Sequence, residues 1–176
     1  IVFIGNGPDY HYKGIDILID SFNLIKKDFP SAKLTIVGEW EPKPEWNVKD
    51  VNFVGKQKNL RKYLQNADLY LHLGRGEAFG VSVLEAMLAG VPAIVSEQTG
   101  AKCIVEKSGN WIVPLDSDLV SKKVGKYFKM KTRDRMALSK RMRNEAKKLN
   151  EKDMLKAFEK EFNNLLGDVY GKDSVF

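Results

Sequence analysis

Short, uninterrupted apolar runs alternate with stretches of helical period along most of this chain, and few architectures accommodate that alternation. Ile1 to Ile4 reads as a buried strand, after which Ile15, Leu18, Ile19, Phe22, Ile25 and Phe29 recur at helical spacing and stop before Pro30. Leu34 to Val37 and Val51 to Val54 read as further strands, separated by a loop from Glu39 to Asp50 that carries Trp40, Trp46, Pro42 and Pro44. Leu60 to Asn66 is expected to be a short helix, Ala67 to Leu73 a strand, Gly80 to Ala89 a helix ending at Gly90, and Pro92 to Val95 a strand. Trp111 to Val113 supplies a last short strand. Three helices follow: one capped by Ser117 and running through Met130, one from Thr132 through Leu149, and one from Asn150 through Leu166.

Strands that are apolar on both faces need helices on both faces, so the fold class is α/β, a doubly wound, Rossmann-like parallel sheet with a helical C-terminal end. The 176 residues and 43% hydrophobic content suffice for one core. The expected division is a domain over 1–166 and a tail over 167–176. The opening Ile1-Val2-Phe3-Ile4-Gly5, without an initiating methionine, reads as cut from a longer protein. No run of about 18 uncharged apolar residues occurs, so the chain reads as soluble and without a targeting segment. Its single cysteine, Cys103, cannot form an intrachain disulfide, in keeping with a reducing compartment. The net charge of +6 arises largely between Lys122 and Lys160, which reads as solvated helix faces more readily than as a nucleic-acid or membrane surface.

In a doubly wound sheet ligands bind at the carboxyl ends of strands, near the point where strand order reverses. The stretch Glu77-Ala78-Phe79-Gly80-Val81-Ser82-Val83-Leu84-Glu85-Ala86-Met87 lies at such a strand end and opens a helix. Glu85 is the only charged side chain between Glu77 and Glu97, and among so many apolar neighbours it is expected to be largely buried and in need of partners. Those partners are either backbone amides or a lysine, or else the vicinal hydroxyls of a ligand such as a ribose. Glu77 is either an exposed loop acid or an acid at a reacting centre. The Phe79-Gly80-Val81 turn offers free helix amides to a diphosphate or to sugar hydroxyls.

This acidic pair, with Phe-Gly between, resembles the E-x7-E motif of retaining glycosyltransferases built from two Rossmann-like domains, the GT-B family 4 type (glycosyl transferases group 1). Gly5-Asn6-Gly7 with Lys13-Gly14 resembles that family's first strand, glycine turn and lysine-glycine helix start. Val51 to Gly55, Ala67-Asp68, Ala86-Met87 to Pro92, Thr99-Gly100 and Gly109 to Pro114 extend the similarity in order over about residues 1 to 165. The resemblance implies the C-terminal, donor-binding domain of such an enzyme, with the N-terminal acceptor domain outside this chain.

It further implies that Glu85 binds the donor ribose, that Glu77 stands near the reacting sugar carbon, that the Phe79, Gly80 and Val81 amides hold sugar hydroxyls, and that Lys13, beside Gly5, Asn6 and Gly7, neutralises the diphosphate. Such a lysine acts most strongly as the leaving phosphate gains charge. No cofactor is implied, and the absence of a His/Cys ligand cluster favours a metal-independent site held by cations and amides. The substrate implied by the resemblance is a nucleotide-diphosphate sugar, GDP- or UDP-linked, carrying a mannose- or glucose-type hexose. The acceptor it implies is a saccharide or lipid-linked, and the expected setting is cytoplasmic or the inner face of a membrane, with peripheral membrane association of the full protein and no nucleic acid. The chain departs from the pattern at Asn6, where an arginine is common, and at Cys103, where a glutamate is. Gly74 also replaces a frequent serine, and Arg75, Lys56 and Lys102 are the candidates to complete the clamp. His72 reads as a satisfied core histidine, His11 as a loop residue near the donor, and the Trp40/Trp46 loop as packing over the sheet edge. A non-catalytic scaffold, an epimerase of the same architecture and a basic nucleic-acid-binding domain remain as alternatives.

Overall fold

The computed structural model describes residues 1–7, 9–46, 49–149, 155–156 and 159–164. Six strands form one parallel sheet: β1 (Val2–Ile4), β2 (Leu34–Val37), β3 (Val51–Phe53), β4 (Tyr70–His72), β5 (Ala93–Ser96) and β6 (Ile112–Val113). Their order is β3-β2-β1-β4-β5-β6. Val2 pairs with Thr35 on one side and with Tyr70 on the other, so β1 and β4 are the central neighbours. The chain moves outward from β1 through β2 to β3, then returns to β4 and moves outward the other way. That reversal puts the crevice between the carboxyl ends of β1 and β4.

The helices are α1 (Ile15–Asp28), α2 (Arg61–Gln65), α3 (Val81–Ala89), α4 (Lys102–Val105), α5 (Ser117–Phe128) and α6 (Thr132–Lys147). α1 buries Ile15, Leu18, Ile19, Phe22 and Ile25, the periodic set read from the sequence. Each such side chain contributes roughly 1.5–3 kcal/mol by leaving water. α1 packs against α5, where Phe29 and Phe128 meet edge to face at 5.2 Å. Because parallel crossovers are right-handed, the connection from β1 to β2 and that from β4 to β5 place α1 and α3 on opposite faces.

Several elements differ from their predicted forms. β4 is confined to Tyr70–His72 rather than Ala67 to Leu73, and α5 is capped by Asp116, whose Oδ1 accepts the Leu119 amide at 2.8 Å, instead of by Ser117. α4 and the 3-10 turn Glu106–Ser108 fall where no helix was predicted. Trp46, in the turn Pro44–Trp46, stacks on Phe53 of the edge strand at 6.1 Å, as expected of a loop packed over the sheet edge. Chain contacts divide the molecule into two compact units, Ile1–Ala146 and Lys147–Phe176. Within the second, residues 155–156 and 159–164 are helical, and the rest of the helix predicted from Asn150 to Leu166 lies outside the described residues. Among the described residues no helix is long and apolar enough to cross a membrane.

Candidate functional site

Two loops meet at the crevice. Behind β1 the chain reaches Gly14, whose φ of 69° begins α1 and whose Cα lies so close to β4 that a Cβ there would fall 1.8 Å from the Leu73 carbonyl oxygen. Only glycine fits both constraints. The approach is locked from each side: the Arg75 amide donates to the Tyr12 carbonyl at 2.8 Å, and the Tyr12 hydroxyl to the Gly76 carbonyl at 2.7 Å. The consequence is an ion pair between Lys13 and Glu77, residues 64 positions apart, with side chains only 14% and 17% exposed. The Lys13 stem runs over Gly7.

The loop that carries Glu77 is held from β5 as well. Gly100 and Ala101 donate their amides to the carbonyls of Glu77 and Phe79 at 2.9 and 2.7 Å, and buried Ser96 donates its hydroxyl to the Gly74 carbonyl at 2.6 Å. From the third side Tyr70 contributes. Its buried hydroxyl donates to the Ile4 carbonyl at 2.9 Å and shares a hydrogen bond with Ser82 Oγ at 2.8 Å, joining β1, β4 and α3 at one point. Burial pushes the phenol well above its ordinary range. Sequence reasoning passed over Tyr70; a tyrosine in an otherwise aliphatic strand was the signal, since its hydroxyl must find a partner indoors.

Glu85 corrects an expectation. It is exposed, and its carboxylate makes no hydrogen bond or ion pair among the described residues. α3 buries only Val83, Ala86 and Met87, a stripe at i, i+3 and i+4, and turns Val81, Glu85 and Leu88 outward, with Val81 63% exposed. The window is apolar on nearly all sides, but the fold covers one of them. Glu85 therefore keeps both carboxylate oxygens available as acceptors, which suits a diol. The Phe79-Gly80-Val81 turn leads directly into α3; the Val83 amide donates to the Gly80 carbonyl at 2.9 Å, while those of Val81 and Ser82 precede the first such bond.

The remaining candidates are already engaged. Asn6 Oδ1 accepts the Glu39 amide at 2.7 Å, tying the β1 loop to the end of β2, and Trp40 Nε1 donates to the Gly5 carbonyl at 2.7 Å. Arg75 donates to Asp16 at 2.8 Å and to the His11 carbonyl at 2.6 Å. Burial works to raise the Asp16 pKa, yet the hydrogen bonds from Arg75 and the Ile17 amide, with the Arg75 charge and His11, hold it below the ordinary carboxylate value. Lys56 lies 3.3 Å from Glu39, and Lys102 donates to the Glu97 carbonyl at 2.6 Å. Cys103 is exposed. Lys13 is thus the cation that the fold itself delivers to Glu77. Among the described residues no group of three or more His, Cys, Asp and Glu is placed to hold a metal, and the chain's Asp-x-Asp spacing, Asp116-Ser117-Asp118, serves the cap of α5. His72 is buried as predicted but is not satisfied: neither ring nitrogen has a hydrogen-bond partner.

A parallel sheet of this order, with its crevice at the switch point between β1 and β4, defines a Rossmann-like domain. The chain belongs to the family described as glycosyl transferases group 1, whose profile matches residues 1–129. It is 29% identical over 106 residues to a phosphatidyl-myo-inositol mannosyltransferase of Mycobacterium leprae, an alignment covering 55% of this chain and 28% of the relative. It is 31% identical over 133 residues to an uncharacterized glycosyltransferase of Methanocaldococcus jannaschii, covering 69% of this chain and 33% of that one. Among solved structures it superposes on WaaG, a glycosyltransferase involved in lipopolysaccharide biosynthesis, with a TM-score of 0.73 at 22% identity, covering 85% of this chain and 43% of WaaG. HepE of Anabaena, in complex with UDP and glucose, gives 0.71 at 19% identity, covering 93% and 47%. The chain thus spans a third or less of those two curated relatives' length.

Proposed function

We propose that this chain is the donor-binding half of a retaining glycosyltransferase that moves a mannose- or glucose-type hexose from a GDP- or UDP-linked sugar to a saccharide or lipid-linked acceptor. The observation that carries the reading is the Lys13–Glu77 pair at the switch point, beside a helix whose Glu85 carboxylate stands open. Lys13 meets the diphosphate and offsets the charge that grows on it as the glycosidic bond breaks. Glu77 positions the sugar and stabilises the oxocarbenium-like carbon, and Glu85 accepts hydrogen bonds from the ribose diol. The amides opening α3 take sugar hydroxyls, and the diphosphate is held by cation and amides without a metal.

The acceptor site belongs to an N-terminal domain of a longer protein, so this chain binds donor weakly and turns over little by itself. Relatives named as a mannosyltransferase and as an alpha-monoglucosyldiacylglycerol synthase support a hexose and a lipid-linked acceptor. One observation favours a second reading, a non-catalytic scaffold: Arg75, Lys56 and Lys102 all hold other partners, so none of these three joins Lys13. Calorimetric titration of GDP, UDP, GDP-mannose and UDP-glucose separates the two. Donor binding predicts that one nucleotide series binds and that Glu85→Ala and Lys13→Ala each abolish it. Absence of binding at millimolar concentration favours the scaffold.

A further inference from the structure

One buried polar side chain has no part in that scheme. His72, on β4, is 1% exposed, its ring near-parallel to those of Phe3, 5.6 Å away, and Tyr70, 6.2 Å away. A neutral imidazole carries one N–H and one lone pair, and a buried polar group without a partner calls for an explanation. The groups that face it are few. Tyr70 has committed its hydroxyl to Ile4 and Ser82, and the charged neighbours are Glu77 and Lys13. Nε2 stands 3.8 Å from Glu77 Oε2, the oxygen that Lys13 already holds. Gly74 leaves the line between them open: a Cβ there would sit 3.1 Å from Nε2 and 3.3 Å from Glu77 Cβ, wedged between the two side chains.

If Lys13 turns to a diphosphate, Glu77 loses its cation when its position matters most. We propose that His72 is a positioning residue that then takes over, its Nε2–H closing on Glu77 Oε2 and keeping the carboxylate aimed at the sugar. A movement of roughly 1 Å brings 3.8 Å into hydrogen-bond range. Burial above all, with some help from Lys13 and against the pull of Glu77, lowers the imidazole pKa to about 4. The ring is therefore an uncharged donor at neutral pH, and it leaves the negative charge of Glu77 for the substrate. The exchange of partners rests on the donor-binding reading; the coupling of His72 to Glu77 can be measured without it.

The sequence has two histidines, so ring-nitrogen NMR resolves them both. The free chain should show His72 as the Nε2–H tautomer, and an Nδ1–H tautomer overturns the proposal even where variants fail to fold. Lys13→Met should raise the His72 titration by about 1 unit or more, as a carboxylate freed of its cation does, and Glu77→Gln in the same chain should cancel the rise. An unmoved His72 in Lys13→Met overturns the proposal. Adding UDP or GDP to the unaltered chain should move His72 in the same direction. If a nucleotide binds, seen in its own phosphorus resonances, and His72 stays put, the proposal falls and the donor reading stands. If neither nucleotide binds while Lys13→Met still shifts His72, the donor reading fails and the coupling stands.

Discussion

The loop behind β4 and the helix that follows it hold two glutamates in opposite states. Glu77 sits in a seat built from three sides, by the β1 loop, the β5 loop and β4 itself, and its carboxylate is paired with Lys13. Glu85, eight residues on, shares its outward helix face with Val81 and Leu88 and touches no partner among the described residues. The same functional group is thus fixed in one place and open in the other. A fixed carboxylate is suited to hold a position relative to a reacting atom, and an open one to receive a ligand.

The contrast breaks most severely at Gly14. Gly14→Ala drives a methyl group into the Leu73 carbonyl at a positive φ, and is expected to cost on the order of 4 kcal/mol or more, measured by chemical denaturation, with loss of the Lys13–Glu77 pair. Acid probes the same seat next. The folded pKa of His72, about 4, lies below its ordinary 6.5, so the unfolded chain binds the proton more readily between those values. Stability from this group is complete above pH 6.5 and falls by on the order of 3 kcal/mol as pH drops to about 4. His72→Phe should flatten that part of the stability profile. The contribution of Asp16, whose folded pKa is depressed below 3.8, is present above that value and is lost only at lower pH, which keeps the two windows apart.

Glu77→Ala strands Lys13 in a part-buried position and is expected to cost about 2 kcal/mol by calorimetry. Glu85→Ala sharpens the comparison from the other side. Stability should change by no more than about 0.5 kcal/mol, because an exposed, unpaired helix residue is replaced by a better helix former, while donor affinity is lost in the same calorimetric titration that gives the wild-type value.

The position of the candidate site was legible in the sequence because continuous apolar strands, helical periods and glycine turns fix a doubly wound sheet, and such sheets bind ligands at the carboxyl ends of their strands. Strand order was not spelled out by any local pattern, yet it is what places the β1 and β4 loops side by side. The Lys13–Glu77 pair spans 64 positions and depends on Gly14 letting two backbones touch. The burial of Glu85 was misjudged for a different reason: a count of apolar residues over a window does not say which face of the helix is covered. Ser117 yielded its capping role to Asp116 because two neighbouring residues can both cap, and one residue of register decides between them. His72 was legible as buried, but whether its nitrogens meet partners depends on side chains drawn from other loops.

Trp40 links these matters to an optical property. Its indole N–H donates to the carbonyl of Gly5, the residue that opens the β1 loop, so the emitting dipole is fastened to the rim of the crevice while Trp46 is packed away over β3. Any ligand that shifts the Gly5 carbonyl changes the polarity sensed by that indole. Its emission is therefore expected to register occupancy of the crevice in the unaltered chain, over that of Trp46 and Trp111, with no label attached.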